Sequence, residues 1–127
     1  MIRAVGPGLA QFGVTGVLPD PKIEIVHPES YTTLIGGGVI NPAQAVATND
    51  NWGAQRSFGS YFGNYVVGSP DEVREMSARV RAFPLEEGSK DAVLLITISP
   101  GIHSIQISGV NGSSGIALIE VYDVSDL

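Results

Sequence analysis

Short apolar runs broken by Gly, Pro, Asn and Asp recur along most of the chain, the pattern of an antiparallel sandwich or barrel. The runs place candidate strands at residues 2–5, 22–26, 31–40, 45–48, 92–99, 104–108 and 116–122. In "SIQISG", Ile105 and Ile107 alternate with Gln106 and Ser108, so one face is expected to be buried and the other wet. "AVLLITI" is nearly all apolar and reads as a central strand covered on both faces, or one at the heart of the sandwich. "SPG" at 99–101 and "NGSSG" at 111–115 separate the last three strands at hairpin distances, which predicts an antiparallel meander.

One segment has a different period. In "SPDEVREMSARVRAF", Ser69 stands where an N-cap belongs, Pro70 at the first helical position and Glu72 three residues after the serine, which completes a capping box. Asp71 and Glu72 lie at the positive end of the helix dipole, Arg79 and Arg81 near the negative end. Val73, Met76, Val80 and Phe83 form one apolar stripe at spacings of three and four. The spacing predicts one short α-helix near residues 70–82, ended before Pro84. The fold class is therefore all-β, an antiparallel, jelly-roll-like β-sandwich with one helix, in a single module spanning 1–127.

With 127 residues the chain is long enough to bury a core without a metal or disulfide staple, and its lack of cysteine excludes both disulfides and thiolate metal sites. Thirteen acidic against seven basic residues, net −6 with no Lys/Arg cluster, works against binding a phosphate backbone, so nucleic acid is not an expected partner. No apolar run approaches the roughly twenty residues of a membrane span. "MIRAVGPGLA" lacks the charged and apolar regions of a signal peptide. That leaves an intracellular protein, or a segment of a larger protein with Met1 added.

Candidate chemistry concentrates in "NWGAQRSFGSYFGNYVVG", residues 51–68, where Trp52, Phe58, Tyr61, Phe62 and Tyr65 account for five of the nine aromatic residues. Glycine at this density seldom lies inside a regular buried element. Two readings stand side by side. The rings form a lid or hairpin over the end of the sandwich, or they form a sugar platform, in which aromatic faces stack on pyranose rings while Asn64 and Gln55 bond the hydroxyls. Within the platform reading Trp52 anchors the stretch from below, and Tyr61 and Tyr65 present their faces. Asn49, Asp50 and Asn51 are the densest oxygen cluster and a candidate calcium site, for which a distant acid such as Asp20, Asp91 or Asp123 would have to join. The competing reading of the same residues is Asx-turn capping of a strand end.

Other constellations point to no reaction. His103 shares the parity of Ile105 and Ile107 and is expected at the rim of the inward face, and His27 precedes Pro28 in a turn. Two histidines without a neighbouring acidic or cysteine constellation do not make a transition-metal site. "GPG" at 6–8 and "GGG" at 36–38 lack the Lys-Ser/Thr of a phosphate loop and read as turns or bulges that open no helix. No G-x-S-x-G elbow is present, and no two of the thirteen acids stand out as a glycosidase pair.

Taken together, "IRAVGPGLAQFGVTGVLPDPKIEI", "ATNDNW", "AFPLEEGSKDAVLLITISPG" and "SIQISGVNGSSGIALIEVYDV" resemble a repeated module of large secreted bacterial proteins, similar to the bacterial pre-peptidase C-terminal β-sandwich domains. The resemblance implies a non-catalytic accessory module of a secreted, extracellular protein. Two departures bear on function. The family pattern carries further strands upstream of "IRAVGPG", so a sheet edge here is expected to be unpaired or paired by a neighbouring chain in a homo-oligomer. The family also passes from "NDNW" to the helix through a short Ala-rich connection, where this chain has the aromatic insert, and an insertion in a loop is where a scaffold acquires its own function. The expected function is binding of a polysaccharide or cell-surface glycan through the insert. The alternative is a structural, self-assembling module with no glycan ligand.

Overall fold

The computed structural model describes residues 1–54, 57–58 and 66–127. Among them the regular structure is mostly strand: β1 (Ile2–Val5), β2 (Pro21–His27), β3 (Ser30–Leu34), β4 (Gly37–Asn41), β5 (Gln44–Asn49), β6 (Ser57–Phe58), β7 (Val66–Val67), β8 (Ala92–Leu94), β9 (Ile96–Thr97), β10 (Ser104–Gly109) and β11 (Leu118–Val121). One α-helix, α1, spans Pro70–Arg79. The strands form a three-stranded sheet in the order β11-β1-β8 and a four-stranded sheet in the order β10-β2-β5-β6, both antiparallel. β3 with β4 and β7 with β9 make two further antiparallel pairs.

Alternation in the sequence decides which side chains meet. Ile23 and Ile25 of β2 are buried while Lys22 and Glu24, which alternate with them, are half-exposed and pair at 2.7 Å. Ile2 and Ala4 of β1, Ala92 and Leu94 of β8, and Val46 and Ala47 of β5 join those isoleucines in one apolar cluster shared by the two sheets. The intervening residues of the three-stranded sheet face the other way. Val93 packs with Met1, Trp52 and Val73, and with Met76 and Val80 of the helix side. The three-stranded sheet is thus covered on both faces, which is why β1 and β8 are buried at every position.

The helix begins as its capping box dictates. Ser69 Oγ accepts from Glu72 N at 3.3 Å, and Glu72 Oε2 accepts from Ser69 N at 2.7 Å. It ends earlier than its apolar stripe, at Arg79, and Arg81 turns the chain with a φ of 58°. Phe83, expected on the stripe, instead lies under the buried guanidinium of Arg3 at 4.7 Å.

Five expectations need correction. Residues 31–40 are not one strand: Gly36, with a φ of 98°, turns the chain between β3 and β4, a backbone shape that β-branched neighbours resist. The 92–99 run is broken after Leu94, because β8 pairs with β1 whereas β9 pairs with β7. β8 is covered on both faces as expected, but it lies at the end of its sheet rather than its centre. The last three strands form no meander: β8 and β11 flank β1, and β10 joins β2 in the other sheet. The link after β10 folds as a 3-10 turn at Val110–Gly112, and Ile116 then pairs with residues 16–18, which carries the chain across to the first sheet. "GPG" at 6–8 does open a helix, the short 3-10 segment Pro7–Phe12, and it binds a carboxylate of the chain itself. Asp91, fully buried, accepts from Gly6 N at 2.8 Å and from Gly8 N at 3.1 Å.

Replacing Ser69 by Ala removes the side-chain half of the capping box, with an expected loss of about 1 kcal/mol read from the denaturant midpoint. An unchanged midpoint contradicts the assigned helix start.

Candidate functional site

The turn that follows β5 builds the site. Asn49 is buried; its Oδ1 accepts from Val93 N at 2.9 Å and its Nδ2 donates to Asn51 O at 3.0 Å. One side chain thereby ties the end of β5 to β8 across the two sheets. Asn51 Nδ2 donates to Asp50 Oδ1 at 3.2 Å, and Asp50 itself is exposed. This is the hydrogen-bonding pattern of turn capping. Among the described residues no three His, Asp or Glu side chains gather around one point.

Trp52 comes next and is held on three sides. Its backbone N donates to Asp91 O at 2.9 Å, its Nε1 donates to Glu86 O at 3.2 Å, and only 2 % of its surface is exposed. The Arg74 guanidinium lies 5.1 Å from its ring centre. Arg74 is fixed in turn by Glu87, with Nε to Oε1 at 2.7 Å and Nη2 to Oε2 at 2.9 Å, and by Asp71. The bond to Glu87 raises the Arg74 pKa further and lowers that of Glu87, so the pair stays ionised through neutral pH.

Beside this pair the structure has a groove of about 420 Å³, lined by Trp52, Val73, Arg74, Ser77, Ala78, Ala82, Pro84, Leu85 and Glu87. Its size falls within the range of small-ligand sites, roughly 300–1,000 Å³, and its lining is mainly apolar with Arg74, Ser77 and Glu87 as polar groups. Ser77 and Ala78 leave the room: they follow Arg74 at spacings of three and four, so all three line one side of α1. The far wall, from Ala82 to Glu87, is the loop that returns from the helix to β8.

Of the predicted ligand-binding residues, Trp52 lies on this groove as a buried ring. Gln55, Tyr61, Asn64 and Tyr65 lie outside the described residues. The stretch containing them leaves from Ala54, just after Trp52, and re-enters at Val66 in β7, where Gly68 N donates to Leu95 O at 2.7 Å. Leu95 packs on the cluster that contains Trp52, and between the two ends β6 adds to the free edge of β5. Sequence reasoning missed Arg74, Ser77, Leu85 and Glu87. The small residues Ser77 and Ala78 on an otherwise long-chained helix, with Ala82 just beyond its end, were the available signal. His27 and His103 stand apart, ring centres 5.6 Å from each other, with His27 as the last residue of β2.

A buried indole with this packing predicts that Trp52→Ala destabilises the fold by about 3–5 kcal/mol, measured by chemical denaturation. A loss under about 1 kcal/mol contradicts the anchoring role. Comparison of the chain with protein-family models, with curated proteins and with solved structures returns no match.

Proposed function

We propose that this chain is a β-sandwich module without catalysis of its own, which holds carbohydrate for a larger extracellular protein. The observation that carries the reading is the origin of the aromatic, glycine-rich stretch: it starts at Trp52, on the wall of an apolar groove that the Arg74–Glu87 pair also lines. Sugars need both chemistries, an apolar surface for the ring face and paired donors and acceptors for the hydroxyls. Tyr61, Tyr65, Asn64 and Gln55 supply the same two chemistries and complete the proposed ligand-binding set. The two antiparallel sheets, which share one apolar cluster, and the helix serve as the rigid support.

The non-catalytic part of the reading rests on how the acids are engaged. The buried Asp91 accepts hydrogen bonds from two backbone amides and a hydroxyl, and Glu87, the acid of the groove, is bidentate with Arg74. A carboxylate so engaged is a poor general base. Calcium belongs to the same proposal as an organiser of the exposed Asp50, and the binding test is therefore run with and without it.

The test is Tyr61→Ala with Tyr65→Ala against a panel of polysaccharides, followed by Trp52 fluorescence and by pull-down. The wild type is expected to bind, and the double variant to keep its fold while losing more than about tenfold in affinity, equivalent to about 1.4 kcal/mol. Absence of wild-type binding under both conditions, or full binding by the double variant, contradicts the proposal. A second reading, contact between protein chains, is favoured by a separate feature at the opposite side of the two sheets.

A further inference from the structure

β1 and β8 lie over β2, and β8 also lies over β5, which leaves β11 and β10 together at the other side of the two sheets. Among the described residues β11 pairs with β1 alone and β10 with β2 alone, so each presents an outward row of backbone donors and acceptors. Register fixes where their side chains belong. Ile105 is opposite Ile25 and Ile107 opposite Ile23, while Ile119 is opposite Ala4 and Val121 opposite Ile2. Directly paired residues share a face, so all four point into the layer between the sheets. Yet Ile105 is 39 %, Ile119 42 % and Val121 63 % exposed. The core runs out to an open side.

β10 has none of the features that shield an edge. Its pairing with β2 is uninterrupted over six residues, and it contains no charge, no proline and no bulge. Its sequence from 104 to 108, Ser-Ile-Gln-Ile-Ser, also reads the same in both directions. We propose that a second copy of this chain pairs with β10 antiparallel, about a two-fold axis through Gln106. That axis sets Ser104 opposite the second copy's Ser108, Ile105 opposite its Ile107 and Gln106 opposite Gln106. Every inward pair is then apolar and every outward pair is neutral and polar.

Charge favours this contact over others. Two chains of net −6 repel, and an uncharged strand is where they can meet without setting carboxylate against carboxylate. Glu120, the acid of β11, is held within its own chain by the buried Arg3 at 3.2 Å. The two four-stranded sheets become one continuous sheet, and Ile105, Ile119 and Val121 of the two copies close over each other. The contact is isologous and therefore ends at a dimer rather than a filament. It does not depend on the carbohydrate reading.

The test uses Gln106, which is exposed and outward-facing, so a charge there is tolerated by the monomer. Light scattering after size exclusion, over micromolar to millimolar concentration, should give the mass of two chains for the wild type. Gln106→Lys and Gln106→Glu each place like charges opposite one another at the axis, and each alone should elute as a monomer with an unchanged circular-dichroism spectrum. Mixed in equal amounts they should recover a dimer of one chain of each kind. A wild type that stays monomeric over the whole range overturns the proposal, whatever the variants do. So does a dimer that persists in both single variants, or two folded variants that fail to associate when mixed.

Discussion

The Asp91 carboxylate is the point on which three separated parts of the chain converge. Its Oδ1 accepts from Gly6 N, Gly8 N shares its bond between both oxygens, and Oδ2 also accepts from Ser89 Oγ at 2.8 Å. Its own carbonyl accepts from Trp52 N. A fully buried carboxylate is tolerated only with such a set of donors, because the interior otherwise penalises the charge by several kcal/mol. The arrangement also explains the local sequence. A side chain on Gly6 would meet Leu18 O at 2.0 Å, and one on Gly8 would meet Val5 Cγ1 at 2.9 Å and Asp91 Oδ2 at 3.0 Å. "GPG" is thus shaped like an anion-binding turn whose anion is supplied internally.

From that joint the molecule is asymmetric. On one side Asn49 bridges β5 to β8, Trp52 seals the corner, and α1 covers the outer face of the first sheet. On the other, Arg3 and Glu120 hold β11 to β1 on the outer face while the inner face stays uncovered beyond Ile105 and Val121. Burial pushes the Arg3 pKa down and Glu120 works against that shift, so the pair fixes register at the cost of desolvation. The closed side carries the groove beside Trp52, and the open side carries the strand edge of β10, so the two features have physically separate supports.

Local signals in the sequence were the legible ones. The capping box placed the start of α1 because Ser69, Pro70 and Glu72 act on backbone groups within one turn, and the strands at 2–5, 22–26 and 45–48 follow from short β-rich runs bounded by turn residues. Pairing was not legible. Hairpin-length links after β9 and β10 suggested a meander, but length does not encode whether a link stays in one sheet, and here bonds from Ile116 to Gly16 and Leu18 decide it. Trp52 was readable as an anchor, since it follows a turn-forming "NDN". Its neighbours Arg74 and Glu87 were not, because the groove exists only once residues 82–87 fold back along the helix.

Amide hydrogen exchange on dilute monomer tests most directly the claim that polar side chains lock one side of the two sheets and leave the other open. The Val93 amide, held by Asn49 Oδ1, should be among the slowest in the chain, while alternate amides of β10 exchange at rates close to those of exposed loops. Protection of every β10 amide to the level of Val93, or rapid exchange at Val93 itself, contradicts the account.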